Sequence, residues 1–476
     1  MFTTSLPANA TLVPKVLRHL PLTGAISERI GIRRVIDRVL PRDGRMVVSD
    51  GECVDLMISN ILHGRVALYH MGEWLEDTDS EVVLGEDCPS DAFHDDRLAG
   101  TLDRLYDRGI DDVLSEVAVE YLRSDDAPDE YSVHTDTTTL KLFGAYEGPF
   151  GADSPLPTWG HSKDHRPDLK QLVFGLSLHG AVGIPLCVSV LDGNTSDHVA
   201  NRFHIDQLAG LLPPQDQVTL VADCKLFDPV TLGLLLNAGF HFVTLVPRTY
   251  NLREQLVDHV LDTGDDLPEL SRERGRNADR PDRVYRGRSY LASFDVVDPD
   301  TAAKRTVELC FLVIESSALA AQFEASLPSK LKKERKSIER ALSMLGKREF
   351  KCADDAVNVF NETVKEPLFH FVNAEVVAEE KKLKRAGRGR PKAGEAAPVC
   401  TVYRVVMRDL TVDDDAVEHA RAHARFFVLA TDHVDPKTWD NRRVFTEYRN
   451  QHVIEGHTGF RWLKGPAAVA PMFLKK

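Results

Sequence analysis

The stretch Tyr131-Ser-Val-His-Thr-Asp136-Thr-Thr-Thr-Leu140 decides how the chain is read. It opens as an apolar/polar alternation, the pattern of a half-buried β-strand. One acidic residue, Asp136, stands inside it with three threonines behind it. A carboxylate in such a strand needs a partner, because burying an unpaired charge is costly. Two more carboxylates hold comparable places. Asp223 ends the apolar run Val218-Thr-Leu-Val-Ala-Asp-Cys224, and Glu455 ends Tyr448-Arg-Asn-Gln-His-Val-Ile-Glu455, a helical pattern near the C-terminus. If the three converge, they form a site for metal ions.

Outward from Asp136, residues 131 to 250 alternate strands with helices. Gly144 to Thr158 is rich in Gly and Pro and reads as a loop. Gln171 to Leu178 is a second strand, and Ile184 to Leu191 a third. His179-Gly-Ala-Val-Gly183 joins them as a hairpin turn. A helix over Asp197 to Leu212, a strand over Val218 to Ala222, a helix over Pro229 to Ala238 and a strand over Phe240 to Val246 follow. Three antiparallel strands followed by parallel crossovers give a mixed sheet. The order β-β-β-α-β-α-β is that of the ribonuclease-H-like fold, whose first and fourth strands each carry a metal-binding carboxylate.

Upstream, residues 1 to about 125 read as helical, with apolar positions at helix spacing over Ile26–Leu40, Glu52–Tyr69, Leu98–Tyr106 and Ile110–Leu122. A solvated acidic face and a recognition helix are both open readings there. Downstream, residues 251 to 435 mix a charged loop over Arg272 to Arg288 with strand candidates (Val307–Ile314, Thr401–Met407, Phe426–Ala430) and a charged helix from Leu327 to Leu345. Arg385 to Pro398 has the composition of a disordered linker. Lys437 to Leu463 reads as one helix, in which seven-residue steps at about 100° per residue put Tyr448, Gln451 or His452, Glu455 and Trp462 on one side. Gly456 and Gly459 weaken its far end. The expected fold class is therefore α/β: a ribonuclease-H-like mixed five-stranded sheet with helices, interrupted by an α+β insertion and preceded by an all-helical domain. The expected boundaries are 1–128 for a helical domain, 129–250 for the first part of the α/β core, 251–435 for the insertion with its basic linker, and 436–476 for the C-terminal helix of the core.

Composition narrows the class. The 476 residues exceed one ordinary domain, and a hydrophobic fraction of 43% is that of a globular chain. No apolar run reaches the roughly 18 residues of a membrane helix. The seven cysteines include no Cys-x-x-Cys pair, which argues against structural zinc and disulfides and fits a reducing cytoplasm. No phosphate-loop motif supports ATP chemistry. The net charge of −14 speaks mildly against nucleic acid, yet local basic footprints exist at Lys330 to Lys336, Lys381 to Arg385 and Arg388 to Lys392.

Paired divalent cations held by carboxylates are what in-line phosphoryl transfer needs. Mg²⁺ suits an all-oxygen ligand set, so two aspartates and a glutamate suffice, with Mn²⁺ as a substitute. Any one of the three alone reads more simply as a cap or a surface residue; their joint placement on two strands and a helix favours the metal site. In His161-Ser-Lys-Asp-His-Arg-Pro-Asp-Leu-Lys170, the cations Lys163, Arg166 and Lys170 are candidates for phosphate contacts, with Asp164 and Asp168 pairing locally. Gly193-Asn-Thr-Ser-Asp197 reads as a turn with a helix cap. Arg388-Gly-Arg390-Pro-Lys392 matches either an AT-hook for the minor groove or a basic linker.

Taken together, the chain resembles bacterial insertion-sequence transposases of the DDE type, in the IS-four group. The resemblance rests on His134-Thr-Asp136-Thr-Thr138, Gly160 to Gln171, Gly183-Ile-Pro185 through Asp197, Ala222-Asp223, and Tyr448 to Glu455 followed by Phe460-Arg-Trp-Leu-Lys464. Asn60 to Arg65, Asp95 to Leu98 and Leu102 to Leu105 extend it into the helical region. It implies that Asp136, Asp223 and Glu455 bind two Mg²⁺ ions and catalyse cleavage at terminal inverted repeats. It also implies joining of 3′-hydroxyl ends to target DNA, without a covalent protein–DNA intermediate. The implied partners are double-stranded DNA and a second copy of the chain; no membrane and a cytoplasmic location are expected. Tyr448, Arg449, Arg461, Trp462 and Lys464 become DNA-binding candidates. Two departures stand out. Gln451 and Trp462 occupy the family's Arg and Lys positions, and the chain stops at Phe473-Leu-Lys-Lys476 where relatives continue. The alternatives are a truncated, impaired copy that only binds DNA and a ribonuclease-H-like nuclease that cuts without joining.

Overall fold

The computed structural model describes residues 15, 17–125, 127–128, 131–148, 150–151, 154–162, 166–212, 218–275, 281–364, 367–382, 399–455 and 459–464. Lys163, Asp164, Arg388, Arg390 and the linker over 385–398 lie outside them. The chain divides into two compact units. The first comprises Met1–Pro247, Leu291–Phe311 and Leu429–Lys476; the second, Arg248–Tyr290 and Leu312–Val428.

The first unit begins with helices α1 (Leu20–Ile30), α2 (Ile32–Val39), α3 (Asp50–Ser59), α4 (Met71–Asp77), α5 (Ser80–Leu84), α6 (Asp95–Arg108) and α7 (Ile110–Leu122). The single helix expected over Ile26–Leu40 is two. Gly31 sits at φ +84°, and its N–H closes the end of α1 on Ser27 and Glu28, so the axis turns there. The pattern over Glu52–Tyr69 likewise holds α3 and then a π-helical turn over Asn60–Gly64. A capping box between Ser49 and Glu52 starts α3. Leu20, Leu56, Met71, Leu75, Phe93 and Leu98 form a common buried core. Asp50 is fully buried beneath it, held by Arg97 at 2.9 Å, by Thr101 at 2.8 Å and by Arg104. Those cations and the hydroxyl offset the desolvation of the carboxylate.

The sheet of this unit contains β1 (Ser132–Leu142), β2 (Lys170–His179), β3 (Pro185–Leu191), β4 (Thr219–Ala222) and β5 (His241–Leu245), with α8 (Asp197–Leu211) and α9 (Pro229–Asn237) between the later strands. The spatial order is β3-β2-β1-β4-β5. Strands β1, β2 and β3 are antiparallel neighbours, while β4 runs parallel to both β1 and β5. Gly183, at φ +70°, supplies the left-handed residue of the β2–β3 turn, and its N–H donates to His179 O at 2.7 Å.

The second unit contains α10 (Asn251–Thr263) and β6 (Glu269–Glu273). The next two strands, β7 (Arg283–Val297) and β8 (Lys304–Ser316), have residues in both units. Then come α11 (Ser317–Leu345), α12 (Ala353–Thr363), β9 (His370–Lys382), β10 (Val399–Val412) and α13 (Asp414–Ala424). Arg272–Arg288, expected as a charged loop, is strand at both described ends. There β6 pairs with β7 (Arg272↔Val284) while Arg272 bridges Glu269 at 2.5 Å and Arg283 lies 3.9 Å from Glu273. Charged side chains on a solvated strand can pair with one another, so polarity there does not mark a loop. β9 and β10 form a long hairpin-like pair whose inner face packs Val405 against Leu345, Phe350 and Ala356.

The chain then returns to the first unit through β11 (Phe426–Thr431), which pairs antiparallel with β5 at Leu429↔Leu245, so the sheet continues beyond the five strands expected. It ends with α14 (Asn441–Asn450), α15 (His452–Glu455) and α16 (Phe460–Lys464). The one helix expected over Lys437–Leu463 is therefore three pieces, and Tyr448 and Glu455 do not share a continuous helical face. The break has a physical cause. At Gln451 the amides step back only three residues, Gln451 N to Tyr448 O at 3.2 Å and Ile454 N to Gln451 O at 3.1 Å, which tightens the turn. Gly459 then passes so close to Ile454 O that a Cβ there would lie 1.7 Å from it, so only glycine fits.

Candidate functional site

Strand pairing places the first two carboxylates. In the β1–β4 ladder Ser132 faces Thr219, Val133 faces Leu220 and His134 faces Val221. The ladder ends there: Asp136 lies two residues beyond His134 in β1, and Asp223 directly follows the last residue of β4, Ala222. Both aspartates are half-buried. Asp136 accepts from the Thr137 amide at 2.7 Å. Asp223 accepts from the Lys225 amide at 2.9 Å, while its carbonyl takes the Thr244 hydroxyl at 2.7 Å. These bonds hold the Asp136 carboxyl within β1 and the Asp223 carboxyl just past the end of β4.

The third carboxylate arrives through α15. Ile454 is fully buried with Leu176, Leu178 and Phe460, and Leu176 is the cross-strand partner of Asp136. The residue after Ile454 is Glu455, which is exposed. Electrostatics connects it to the aspartates. The Tyr448 phenol is pushed well above its ordinary range by burial and then by the charges of Asp223, Cys224 and Glu455. Tyr448 is thus a neutral phenol beside two of the three acids. Among the described residues, the groupings whose ligand atoms all lie within 4.8 Å of one another are elsewhere, so Asp136, Asp223 and Glu455 are more widely set.

A fourth acid joins them that its sequence context assigned only to a turn. Asp197, the first residue of α8, accepts the Thr137 hydroxyl at 2.6 Å, one residue from Asp136. Its charge also acts on Cys224, whose thiol is raised by burial, then by Asp223, and further by Asp197. Nothing local distinguishes Asp197 from an ordinary first-turn acid; the threonine run after Asp136 is the one hint, since it needs polar partners.

A second pair escaped the sequence reading too. His134 Nε2 is 3.0 Å from Glu447 Oε1, with the histidine fully buried. Burial alone would raise the Glu447 carboxyl, but bonds from His134 and Ser132 outweigh it and hold it below its usual range. This contact ties α14 to β1 next to Tyr448. Its signal is 313 residues apart in sequence, beyond the reach of any local pattern.

The expected DNA contacts fall into three groups. Arg166 is bound to Asp168 through two bonds of 2.8 and 2.7 Å, and Lys170 donates to the carbonyls of Ala145 and Tyr146 while lying 5.0 Å over the Trp159 ring. Arg449 and Arg461 are exposed, and Trp462 and Lys464 are half-buried. Lys163, Arg388 and Arg390 lie outside the described residues. No helix among the described residues is long and apolar enough to cross a membrane.

Residues 13–119 match a family described as a domain of unknown function, DUF4277. No curated protein matches the chain. Among solved structures, it is similar to a piggyBac transposase in a synaptic complex with hairpin DNA, at 10% identity and a TM-score of 0.27. That likeness covers 62% of this chain and 57% of the other, so this chain spans less than two thirds of its length. At that level it specifies neither fold nor activity here.

Proposed function

We propose that the chain is a metal-dependent DNA transposase with a ribonuclease-H-like core, acting through Asp136, Asp223 and Glu455. The observation that carries the reading is the parallel pairing of β1 with β4, which sets the strand that holds Asp136 beside the strand that Asp223 follows. The strand order β3-β2-β1-β4-β5 supports the same core.

The donor set fits hard divalent cations. It is all carboxylate oxygen, and its negative charge already acts on Tyr448 and Cys224. Asp136 and Asp223 would hold Mg²⁺ or Mn²⁺, with Glu455 or Asp197 completing the set. When bound, such ions supply activation of an attacking oxygen and stabilisation of a leaving one in phosphoryl transfer. The chain's own residues do the rest. The strands keep the two aspartates from moving, His134 and Glu447 anchor α14, and the Tyr448 phenol keeps a proton to donate to a phosphate oxygen. Arg449 and Arg461 face solvent where they can meet the DNA backbone.

The test uses the full chain with Mg²⁺ or Mn²⁺ and duplexes carrying the two ends of the genetic element that encodes it. Transposition requires ion-dependent cleavage at those ends and joining of pre-cut 3′-hydroxyl ends into plasmid. Cleavage without joined product would leave a nuclease. Binding without cleavage would leave a DNA-binding remnant, a reading favoured by the exposure of Glu455 and by Gln451 and Trp462 in the family's cationic positions.

A further inference from the structure

Among the described residues, two clusters away from the carboxylates bring a pair of imidazoles and an acid together. In the first unit, His241, Asp432 and His433 have ligand atoms within 4.8 Å of one another. Their atoms are already occupied. Asp432 takes His241 Nδ1 at 2.7 Å and the Phe242 amide at 2.9 Å, and His433 Nε2 bonds the Thr219 hydroxyl at 2.9 Å. This cluster is a hydrogen-bonded joint.

The cluster in the second unit is built differently. His419 and His423 lie four residues apart on α13, one turn, so both imidazoles share a face. Their rings stack with centroids 4.2 Å apart and planes at 23°. From α10, Asp258 Oδ1 reaches 2.9 Å from His423 Nε2. Yet His423 Nε2 is buried and has no hydrogen-bond partner among the described residues. A nitrogen and a carboxylate oxygen at that separation without hydrogen-bond alignment do not point at each other. Both have lone pairs for a third body between them. The potential ligand atoms of Asp258, His419 and His423 all lie within 4.8 Å of one another. Bonds of about 2 Å around a tetrahedral ion set ligand atoms about 3.3 Å apart, so the Asp258–His423 pair at 2.9 Å opens slightly to admit an ion that His419 also reaches.

We propose that His419, His423 and Asp258 form a binding site for a divalent transition-metal ion of the zinc type, joining α13 to α10 within the second unit. Two imidazoles and one carboxylate are the donor types that Zn²⁺ prefers over Mg²⁺. Burial and then the neighbouring His419 lower the pKa of His423, which keeps its imidazole in the neutral form that ligates. Asp258 and Glu254 act on it in the opposite sense, and Arg253 in the same sense as His419. Glu254 precedes Asp258 by one turn of α10, which makes it or a water the fourth ligand. The ion would act as a structural clip, stabilising the unit by mass action.

The experiment takes the full chain, stripped with EDTA and carrying Asp136→Asn, Asp223→Asn and Glu455→Gln so that the other acids do not compete. Zn²⁺ is titrated by calorimetry and Co²⁺ by visible absorption. The expected result is a single Zn²⁺ per chain, a nitrogen-ligated Co²⁺ spectrum and a raised melting temperature. His419→Ala, an exposed change, should weaken Zn²⁺ by about tenfold or more with an unchanged circular dichroism spectrum. If His423→Ala does not fold, His419→Ala and Asp258→Asn carry the test. The proposal is overturned if this background takes up no Zn²⁺, if the His419→Ala variant binds it as tightly as its parent, or if excess Mg²⁺ displaces it.

Discussion

The two ends of the central strands of the first unit are polar in opposite ways. At the N-terminal ends of β4 and β5, His241, Asp432, His433 and Thr219 satisfy one another, and His433 stacks on Trp439 with ring centroids 4.0 Å apart. The acid there has its own counter-charge, and the bond from Asp432 raises His241 against the opposing effect of burial. Past the C-terminal end of β4, acid gathers beside acid: the charges of Asp223 and Glu455 add to burial in pushing the Tyr448 phenol towards protonation, and those of Asp223 and Asp197 add to burial in doing the same to the Cys224 thiol. Both ends are hydrogen-bonded, so satisfaction of individual atoms does not separate them. The sign of the accumulated charge does. A set of like charges destabilises the fold that holds it, and such a set persists where function uses it.

The largest test of that contrast is charge removal at the acidic end. Asp136→Asn or Asp223→Asn should lower ion-dependent DNA cleavage on the order of a thousandfold, measured as nicking of end-bearing duplexes, while the melting temperature holds or rises. A matching loss of stability would mean that these acids are structural. Asp197→Asn then decides whether Asp197 or Glu455 completes the set, by which of the two variants loses cleavage.

Acid should break the opposite end first. Burial lowers His433 to about 4 and, in the hydrogen-bonded core between Ser177 and Ser189, His204 to about 4. Each ordinarily titrates near 6.5, so the unfolded chain takes up the proton first. Their stabilising contribution is present above pH 6.5 and is lost as pH falls towards 4. For His204 the loss is about 3 kcal/mol across that window. Urea unfolding at stepped pH measures it, and a flat profile would contradict neutral buried imidazoles.

Cutting the link between β1 and α14 costs less. His134→Ala leaves the half-buried Glu447 without its main partner, and a destabilisation of about 2 kcal/mol is expected by urea unfolding. His433→Ala should cost about 1 kcal/mol and leave cleavage unchanged, since it lies at the satisfied end. Smallest is Arg166→Ala. If Arg166 exchanges Asp168 for a DNA phosphate, the slope of log affinity against log salt should fall by about 1. An unchanged slope would assign the arginine to its local ion pair.

Much of the architecture was legible because it is local. Strand alternation from Tyr131 to Leu140, the glycines of the β2–β3 turn and the apolar run ending at Asp223 all express themselves within ten residues, and the strands formed where those patterns stand. What misled was also local. Polar composition hid the pairing of β6 with β7, and helical periodicity ran through Gln451 where α14 stops. A pattern records which side chains would suit an element, and says nothing of a backbone that must turn to bury Ile454 against Leu176.

The sequence by itself determined the strands and helices from Tyr131 to Val246, with Asp136 inside the first strand and Asp223 next to the fourth, because side-chain periodicity and turn chemistry act between near neighbours. Only the tertiary structure decided the parallel pairing of β1 with β4, the arrival of Asp197 at Thr137, the joining of His134 to Glu447 and the meeting of His419 and His423 with Asp258. Those are contacts between distant segments. They are fixed by hydrogen-bond registry and by burial of apolar faces such as Ile454, Leu176 and Phe460, quantities that exist only once the chain is packed.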